Sequence, residues 1–473
     1  MELVTDLFIN NEWRASISKQ RFQTVNPANE QAIAMVAEAG VEDVELAVQV
    51  ASCAFALQST GAWSTLTAKE RSRLLGRIAD LMEEHREELA TIEALDAGKS
   101  YRAAFEDDLP FCISIIRYYA GVIGQIEGKY LQFHHAYTAY TRHEAIGVVA
   151  AITPWNYPLM MFVSKVAPAL AAGNVVIVKP AEETPLSALA MSKLFVKAGF
   201  PAGVVNVLTG GPATGEALVE HPGVQKIAFT GSTEVGKKIA ANAAKSLKRV
   251  SLELGGKSPN IIFADVLNLE EAVSAACNSV FYHQGQTCCA GTRVLVEKNV
   301  YQNFLEQAKS KSSDYNQEKG TLISKKQLER VCNYISIGKE EGAKLLCGGK
   351  QLGSVGFGVE ATIFYDVKNS MRIAQEEIFG PVMCVIPFEG EKEAIALAND
   401  TQYGLAAALW TSDSMKANRV MRALKSGTVW INCSDISDPS LPFGGVKMSG
   451  YGKDLGVDSL QSYTEVKSVV LKN

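Results

Sequence analysis

The chain has 473 residues, of which 47% are hydrophobic and 21% charged, and its formal net charge at pH 7 is −5. This composition is typical of a globular protein with a large buried core and more than one domain. The slight acidic excess provides no basic surface for phosphate backbones or anionic lipid, so no nucleic-acid or membrane partner is predicted.

Cysteine and histidine are arranged without metal-binding motifs. The nine cysteines form no CxxC pair, and the six histidines form no HExxH motif. No metal site is therefore predicted. Scattered cysteines in an odd number are typical of free thiols in a reducing compartment. The first residues lack a basic stretch followed by an apolar run, so no signal peptide is predicted and a cytoplasmic location is expected.

One uncharged segment, residues 145–164, has the length of a membrane-spanning helix. Its Gly147, Pro154 and Pro158 would leave backbone groups without partners in lipid. We therefore interpret the segment as a buried strand, a turn and the start of a helix.

The first 145 residues combine hairpins, helices and a ribbon. Residues 7–37 predict β-hairpins, with a turn at the pair Asn10-Asn11. Helices are predicted over residues 41–57, 67–98 and 109–122. Thr67 and Glu70 have the spacing of a capping box at the start of the second helix. Aromatic residues between Gly128 and His143 predict a ribbon that stands away from the main body and contacts another subunit.

From residue 148 onward, short apolar strands alternate with helices. Strands are predicted over residues 148–152, 175–178, 204–208, 227–229 and 250–254. Helices are predicted over residues 185–197, 214–219 and 234–245. Apolar runs without alternation indicate a parallel sheet that is covered on both faces. Such a doubly wound domain binds ligands beyond the carboxyl ends of its strands.

A second α/β region follows Pro259. Its predicted strands cover residues 260–263, 292–297, 379–387, 406–410 and 428–432. Its predicted helices cover residues 269–281, 300–311 and 324–340. The tail, residues 462–471, alternates weakly and predicts a terminal strand that pairs with another segment or another subunit. The fold class is therefore predicted to be α/β.

Four side chains outside any metal motif have the chemistry of a catalytic site. Cys288 and Cys289 follow a glycine and precede a strand, where a thiol is either a reactive nucleophile or a small buried hydrophobe. Glu253 ends an apolar strand and is either a surface residue or a base with a shifted pKa. Asn156 lies between two prolines, where its amide either donates to an oxyanion or caps a turn.

Two further stretches suggest a nucleotide. Residues 231–238 have P-loop spacing up to the lysine but lack the following Ser or Thr, which makes an NTPase a weak interpretation. The stretch still joins a strand to a helix, so it is either a phosphate-binding turn or an ordinary βα turn. Lys179 and Glu182 follow an apolar strand and either bind ribose hydroxyls or form a surface ion pair. An acid at that position disfavours a 2′-phosphate.

Eight motifs in one order carry a family resemblance. They are Pro154–Pro158, Lys179–Glu182, Phe229–Gly236, Leu252–Lys257, Gly285–Cys288, Glu376–Pro381, Pro442–Gly445 and Ser449–Gly452. With them the chain resembles the NAD(P)-dependent aldehyde dehydrogenase superfamily over its whole length. It is most similar to the hydrolytic branch, which includes betaine-aldehyde and general aldehyde dehydrogenases.

The resemblance implies an α/β fold with three parts. A Rossmann-type, doubly wound NAD-binding domain would comprise residues 1–122 and 146–254. A second α/β domain with the nucleophilic cysteine would comprise residues 255–448. A small β oligomerisation ribbon, residues 123–145 and 449–473, would bridge the subunits of a homodimer or homotetramer.

The resemblance also implies a mechanism. Cys288 would attack an aldehyde to form a thiohemiacetal, and the Asn156 amide and the Cys288 backbone N–H would hold the oxyanion. Hydride transfer to NAD would leave a thioester, which water activated by Glu253 would hydrolyse. NADP is possible in this family but less favoured here. The alternatives are an acylating enzyme that uses coenzyme A, whose relatives lack a base at the Glu253 position, and a non-catalytic structural or ligand-binding relative.

The ligand-binding positions follow from the same resemblance. The cofactor would be bound by Ile152, Trp155, Lys179, Glu182, Gly231, Ser232, Leu254, Glu377 and Phe379. The aldehyde would be bound by Tyr157, Met161, Ser164, Tyr282, Asp435 and Phe443. An aromatic cage of Tyr157, Tyr282 and Phe443 with the acidic Asp435 would suit a quaternary ammonium. Ser164 stands where a tryptophan is common and widens the tunnel. The predicted substrate is betaine aldehyde or an aminoaldehyde, with broad aliphatic and aromatic specificity as the alternative.

Overall fold

The computed structural model describes residues 3–56, 63–316 and 320–473. Leu57, the predicted end of the first helix, lies outside these ranges. The strands are β1 (Leu7–Ile9), β2 (Glu12–Arg14), β3 (Arg21–Val25), β4 (Ala32–Ala37), β5 (Tyr130–His134), β6 (Tyr137–Ala145), β7 (Val148–Ile152), β8 (Val175–Lys179), β9 (Val205–Val207), β10 (Lys226–Thr230), β11 (Arg249–Glu253), β12 (Pro259–Ile262), β13 (Arg293–Glu297), β14 (Lys344–Cys347), β15 (Thr362–Tyr365), β16 (Val382–Phe388), β17 (Ala406–Trp410), β18 (Thr428–Ile431), β19 (Gly450–Tyr451) and β20 (Thr464–Lys472).

The α-helices connect and cover these strands. They are α1 (Val41–Phe55), α2 (Ala68–Glu84), α3 (Arg86–Ala97), α4 (Tyr101–Ala103), α5 (Leu109–Val122), α6 (Pro158–Ala171), α7 (Leu186–Ala198), α8 (Pro212–Glu220), α9 (Thr233–Ala244), α10 (Leu269–Phe281), α11 (Lys298–Tyr315), α12 (Lys325–Glu340), α13 (Arg372–Gln375), α14 (Gly390–Asn399), α15 (Ser414–Ala423) and α16 (Gly456–Ser462). In the described ranges no helix is long and apolar enough to cross a membrane. The uncharged segment 145–164 forms β7, a turn and the start of α6, as predicted.

The first sheet has the strand order β19-β11-β10-β7-β8-β9-β1-β2. Its five central strands, β11 to β9, are parallel. Strands β7, β8, β9 and β10 are buried along their whole length because helices cover both faces. The predicted doubly wound sheet is therefore confirmed, with antiparallel edge strands in addition. Strand β7 has β8 on one side and β10 on the other, which makes their carboxyl ends the topological switch point.

The second sheet has the order β14-β15-β16-β13-β12-β17-β18, and only β14 is antiparallel. Successive residues of its central strands face different cores. Ile261 of β12 belongs to one apolar cluster and Ile262 to another, because side chains alternate across a strand. Residues 254–258 connect β11 of the first sheet to β12 of the second. This connection joins the carboxyl edge of one sheet to the amino edge of the other.

The third sheet, β20-β6-β5, contains the predicted ribbon. Strand β20 pairs with β6 from Thr464 opposite Ala145 to Lys472 opposite Tyr137. The terminal strand therefore pairs with another segment of its own chain. Tyr130 and Phe133 are exposed on the ribbon, which leaves an aromatic surface without a cover.

Two predictions of element bounds are wrong. The helix expected over residues 67–98 begins with the predicted capping box of Thr67 and Glu70, but it is divided into α2 and α3 at His85. Neither glycine nor proline marks that break. The strand expected from residue 379 begins only at Val382, because Phe379 has a φ of +60°, which a strand cannot contain.

Candidate active site

The carboxyl edge of the first sheet brings together residues from separate stretches of the chain. Ile152 at the end of β7 lies opposite Lys179 of β8 and Phe229 of β10. Thr230 of β10 lies opposite Glu253 of β11. The predicted cofactor and base positions thus share one edge at the switch point, where open α/β sheets bind ligands.

The predicted nucleophile lies on the cysteine loop, residues 282–290, between α10 and β13. The loop turns through three successive left-handed residues, His283, Gln284 and Gly285. At Gly285 a Cβ would lie 2.3 Å from the carbonyl oxygen of Gly380, so the turn requires glycine. After this turn Cys288 is half-buried. The loop faces the connection 254–258, since a Cβ at Gly256 would lie 2.3 Å from the Cys288 carbonyl oxygen.

Gln286 fixes the cysteine loop from inside. Its side-chain nitrogen donates to the carbonyl of Thr321 at 3.1 Å, and its side-chain oxygen accepts from the backbone N–H of Ile323 at 2.8 Å. Its own carbonyl accepts from Nδ2 of Asn156 at 2.9 Å. Sequence reasoning did not identify Gln286 as a structural anchor, although it stands directly before the predicted nucleophile.

Two hydrogen-bond donors near Cys288 remain available. The buried Asn156 amide uses one of its Nδ2 hydrogens for Gln286, and within the described part of the chain the other has no partner. The backbone N–H of Cys288 likewise makes no hydrogen bond to any described residue. A developing oxyanion needs such preorganised donors, and these two groups are the ones predicted to hold it.

The neighbouring Cys289 has a different environment. Its Sγ lies 3.7 Å from Oδ1 of Asp435. A hydrogen bond with Cys288, burial and the Asp435 charge all raise the pKa of the Cys289 thiol. Burial also raises the pKa of Asp435. Cys289 is therefore held as a neutral thiol, which is a poor nucleophile.

Glu253, the predicted base, is buried at the end of β11 with 5% of its surface exposed. Neither carboxylate oxygen has a hydrogen-bond partner among the described residues. Burial raises its pKa well above the ordinary 4.5, and the charges of Asp454 and Cys288 raise it further, against the opposing effect of Lys165. A carboxyl group with a raised pKa and free oxygens has the properties of a general base near neutral pH.

Lys165 and Asp454 form a buried ion pair of 2.8 Å next to this base. Asp454 raises the pKa of Glu253, whereas Lys165 lowers it. Sequence reasoning gave neither residue a role. The sequence does contain a signal, because Lys165 is the one charged residue of helix α6.

The adenosine side of the predicted cofactor site is formed by β8, β10 and α9. Lys179 is buried and its Nζ lies 3.4 Å from Oε2 of Glu182, whose side chain is 41% exposed. Ser232 caps α9 by accepting from the N–H of Val235 at 3.3 Å. The Gly231 N–H already donates to the Glu253 carbonyl at 3.1 Å, so it is not available to a cofactor. Because Gly231 has no side chain, it leaves room for a cofactor beside the backbone.

Leu254 packs below the first turn of α9. A Cβ at Gly236 would lie 2.4 Å from Cδ2 of Leu254, so the helix approaches the connection closely. The N-terminus of α9 leaves backbone N–H groups without intrahelical partners. This combination of an N–H-rich helix end with a nearby lysine and carboxylate fits a dinucleotide.

The predicted nicotinamide side comes from the second sheet. Oε1 of Glu377 accepts from the Gly256 N–H at 3.0 Å, and burial raises the pKa of Glu377 to about 7. The ring of Phe379 meets that of Trp155 edge to face with 5.2 Å between centroids. Gln327 donates to the Phe379 carbonyl at 2.7 Å. Gln327 was not predicted, since its position on α12 carries no motif.

A cavity of about 450 Å³ adjoins Glu182. Its lining includes Phe22, Gly211, Lys325 and Phe357. These residues come from the N-terminal hairpins, the α8 start, the α12 start and a loop before β15. The sequence gave no sign that these segments meet, because they are far apart along the chain.

Tyr157, predicted as a wall of an aromatic cage, is held on two sides. Its hydroxyl lies 2.9 Å from Oγ1 of Thr287. The Nζ of Lys99 lies 3.5 Å from the centre of its ring, and Lys99 is paired with Asp108 at 2.6 Å. One face of Tyr157 is therefore already occupied by a cation of the chain itself.

The remaining predicted substrate residues have varied environments. The hydroxyl of Tyr282 donates to Oδ2 of the exposed Asp107 at 3.0 Å. Ser164 is 2% exposed and its hydroxyl donates to the Met161 carbonyl at 3.3 Å, so its hydroxyl is turned onto its own helix. The backbone of Phe443 pairs with that of Asp454.

No group of three or more His, Cys, Asp or Glu side chains within residues 3–56, 63–316 and 320–473 has the arrangement of a metal site. All nine cysteines are free.

The chain is similar to known proteins over nearly its whole length. The family model described as "Aldehyde dehydrogenase family" matches residues 13–469. Aldehyde dehydrogenase 1A1 of Gallus gallus is 49% identical over 99% of this chain and 93% of the relative. The structure of an aldehyde dehydrogenase from Bacillus cereus in complex with NAD+ aligns with a TM-score of 0.96 at 46% identity, covering 100% of this chain and 97% of the other. Betaine aldehyde dehydrogenase from Staphylococcus aureus, also with NAD+, aligns with a TM-score of 0.96 at 38% identity, covering 100% and 98%.

Proposed function

The chain belongs to the aldehyde dehydrogenase family, and we propose that it oxidises an aldehyde to its carboxylic acid with NAD as the hydride acceptor. One observation supports this above the others. Asn156 from the first sheet is hydrogen-bonded to the loop that carries Cys288, beside a buried Glu253 whose oxygens are free. The residues proposed as nucleophile, oxyanion donor and base thus lie at one junction between the two sheets.

Cys288 is the proposed nucleophile. After its proton has passed to solvent, the Cys288 Sγ bonds to the aldehyde carbon, and the carbonyl electron pair moves to oxygen to give a thiohemiacetal oxyanion. The free Nδ2 hydrogen of Asn156 and the Cys288 N–H stabilise that oxygen, because both donors are fixed before charge develops. Collapse of the oxyanion re-forms the C=O bond and releases the carbon-bound hydrogen as hydride, for which bound NAD would be the acceptor, and leaves a thioester on Cys288.

Glu253 is the proposed base for the second half of the reaction. It takes a proton from water as the water oxygen attacks the thioester carbon, and the Cys288 sulfur leaves as the acid is released. Burial raises the pKa of Glu253 well above 4.5, which makes its carboxylate a stronger base than that of an ordinary glutamate. Because this base is present, we favour hydrolysis over transfer of the acyl group to coenzyme A.

The cofactor is proposed to be NAD. Bound NAD supplies the hydride acceptor. Lys179 and Glu182 are proposed to bind the adenosine ribose, and Ser232 with the α9 N-terminus the pyrophosphate. The complex of the Bacillus cereus relative with NAD+ supports NAD as the cofactor. We propose a preference for NAD over NADP because a 2′-phosphate would meet the negative charge of Glu182.

The other cofactor positions have supporting roles. Glu377 and Phe379 are proposed to orient the nicotinamide ribose, and Trp155 supports the ring of Phe379. Ile152, Gly231 and Leu254 are proposed to shape the groove at the ends of β7, β10 and β11.

The substrate is proposed to be an uncharged aliphatic or aromatic aldehyde rather than betaine aldehyde. The observation that favours this choice is the Lys99 ammonium on the Tyr157 ring, since it occupies a face that an aromatic cage would offer to a substrate cation. Met161, Ser164, Tyr282, Asp435 and Phe443 remain proposed contacts. Betaine aldehyde and aminoaldehydes are the second candidate, because Asp107 and Asp435 lie near Tyr282 and Cys289 and the Staphylococcus aureus relative is a betaine aldehyde dehydrogenase.

We propose that the chain forms a homodimer or homotetramer and that it is located in the cytoplasm. A homodimer or homotetramer is supported by the exposed aromatic residues Tyr130, Phe133 and Tyr137 on the ribbon. The cytoplasmic location rests on the free thiols. We also propose three structural parts. The NAD-binding domain comprises residues 1–122 and 146–254, the catalytic domain residues 255–448, and the oligomerisation ribbon residues 123–145 and 449–473.

The test is NADH formation, followed by absorbance, with a panel of benzaldehyde, propanal, 4-aminobutanal and betaine aldehyde. We expect NADH with the uncharged aldehydes and turnover that does not need coenzyme A. A preference for betaine aldehyde would favour the second candidate. Dependence on coenzyme A, or no NADH with any aldehyde, would contradict the proposed reaction.

A further inference from the structure

Two buried carboxylates on helix α3 accept hydrogen bonds from the N-termini of two other helices. Oε1 of Glu93 accepts from the backbone N–H of Leu159 in the first turn of α6 at 3.1 Å. Oδ2 of Asp96 accepts from the N–H of Leu186 in the first turn of α7 at 2.8 Å. Both carboxylates are fully buried. One helix thus provides acceptors for the starts of two others.

Neither α6 nor α7 has an acceptor of its own at this end. Their N-cap residues, Tyr157 and Pro185, make no side-chain capping bond. The N–H groups of a first helical turn have no intrahelical partner. A negatively charged acceptor there also interacts favourably with the helix dipole. Glu93 and Asp96, which lie on α3, therefore provide the capping acceptors that the N-cap residues of α6 and α7 do not provide.

The two helix starts follow the two functional turns. Asn156, the proposed oxyanion donor, lies three residues before Leu159. Glu182, the proposed ribose ligand, lies four residues before Leu186. Since the backbone between each pair is short, fixing the helix start limits the movement of the turn that precedes it.

We propose that Glu93 is a positioning residue for acyl-enzyme formation, which it supports by capping α6 and thereby holding Asn156 against the cysteine loop. This inference rests on the proposed role of Asn156. Asp96 is its counterpart for the cofactor turn before α7. An oxyanion donor must be placed to within a fraction of an ångström, because small displacements are costly in rate.

The charges around Glu93 decide which substitutions are informative. Burial raises the pKa of Glu93 to about 7, with Lys99 lowering it and Asp108 raising it. Burial also raises the pKa of Asp96, and the charge of Glu93 raises it further. Lys99 keeps Asp108 as its partner at 2.6 Å, so a neutral residue at position 93 leaves no unpaired buried cation. Glu93→Gln retains an acceptor of the same size, whereas Glu93→Met removes the acceptor at similar volume.

The experiment compares Glu93→Met, Glu93→Gln and Asp96→Leu in the full-length protein, with the NADH burst measured by stopped flow and NAD affinity by tryptophan fluorescence. We expect Glu93→Met to slow the burst about tenfold or more, as a displaced donor would. Glu93→Gln should stay within about threefold of wild type because its amide oxygen still accepts the Leu159 N–H. NAD affinity should be unchanged in both variants. Asp96→Leu should weaken NAD binding and leave the burst at saturating NAD near the wild-type rate.

Two results would overturn the proposal. One is a wild-type burst rate in folded Glu93→Met. The other is an equal loss of burst rate and NAD affinity in Glu93→Met and Asp96→Leu, which a general loss of packing would produce. If Glu93→Met does not fold, Glu93→Asp, which shortens the reach to Leu159, is judged by the same criteria. A wild-type protein that forms no NADH would refute the proposed function instead.

Discussion

The side-chain amide of Asn156 donates a 2.9 Å hydrogen bond to the backbone carbonyl of Gln286, two residues before Cys288. This bond ties a turn of the first sheet to the cysteine loop at the edge of the second. It also orients the Asn156 amide, since only one Nδ2 hydrogen remains to be directed at a substrate. The proposed oxyanion donor and the loop that carries the proposed nucleophile are therefore held by the same contact.

Asn156→Ala removes both the free donor and this tie. We expect kcat to fall about 10²- to 10³-fold, the usual effect of losing one oxyanion donor. NAD affinity should change little, because Asn156 is not among the proposed cofactor ligands. Steady-state kinetics and fluorescence titration would measure the two quantities. Asn156→Asp, similar in size but without the donor, should lose a comparable amount; wild-type kcat in that variant would contradict the donor role.

The adjacent cysteines allow a matched comparison. Cys288→Ala should abolish NADH formation while NAD still binds, since no thioester can form. Cys289→Ser should retain most activity, because the raised pKa keeps Cys289 a neutral thiol that does not compete as the nucleophile. Mass spectrometry of the quenched reaction should find the acyl group on Cys288 alone. An acyl group on Cys289, or activity in Cys288→Ala, would reverse the assignment.

Glu253→Gln separates the two halves of the reaction. The acyl-enzyme should still form, so a burst of NADH should persist. Hydrolysis should slow about 10²- to 10⁴-fold, the range expected for loss of a general base. Rapid-mixing absorbance would record both phases. Steady-state activity lost together with the burst would show that Glu253 acts before hydrolysis.

The pH dependence of wild-type turnover gives an independent check on Glu253. A base acts in its deprotonated form, and burial raises the pKa of this carboxyl group well above 4.5. Hydrolysis should therefore increase with pH and reach its plateau at a higher pH than an ordinary glutamate would give. An acid limb near pH 4.5 would contradict the raised pKa of Glu253.

Much of the fold followed from local patterns. The central strands β7, β8 and β17 read as apolar runs, and α5 and α10 have the bounds that their spacing predicts. The break between α2 and α3 at His85 was missed because it has no glycine or proline. Its position is set by tertiary contacts, such as the bond from Arg86 to the carbonyl of Phe105, which local sequence does not reveal.

The sequence predicted which residues form the candidate site, but it did not predict the contacts that hold them in place. Cys288, Glu253 and Asn156 stand in recognisable motifs. The residues that hold them do not, because Gln286, Lys99 and Glu93 act through partners far along the chain. The proposed aromatic cage shows the same limit: Tyr157 was identified, but the lysine on its ring was not.

Glu182→Ser tests the proposed choice of cofactor. Removing the carboxylate should lower the NAD-over-NADP ratio of kcat/KM by about tenfold or more, because the repulsion of a 2′-phosphate is lost. Lys179 remains to bind either ribose. Glu183→Ser, a neighbour that borders the same cavity, is the control and should leave the ratio unchanged. An unchanged ratio in Glu182→Ser would remove Glu182 from the selection of the cofactor.

Adjacent carboxylates at positions 376 and 377 should have opposite effects on stability as the pH changes. The folded-state pKa of Glu377, about 7, lies above its ordinary 4.5. Its contribution to the free energy of unfolding is therefore fully present below pH 4.5 and is lost as the pH rises through 7. Arg372 holds the pKa of Glu376 below its ordinary value, so the contribution of Glu376 is present above pH 4.5 and lost on acidification.

The corresponding amides should separate these two effects. Relative to wild type, Glu377→Gln should gain about 3 kcal/mol of stability between pH 4.5 and pH 8, since its neutral amide escapes the cost of ionising a buried group. Glu376→Gln should instead be less stable than wild type by a nearly constant amount over this range, and the difference should shrink only below pH 4.5. Urea unfolding followed by fluorescence at several pH values would measure both differences. Parallel curves for the two variants would contradict the burial-raised pKa of Glu377.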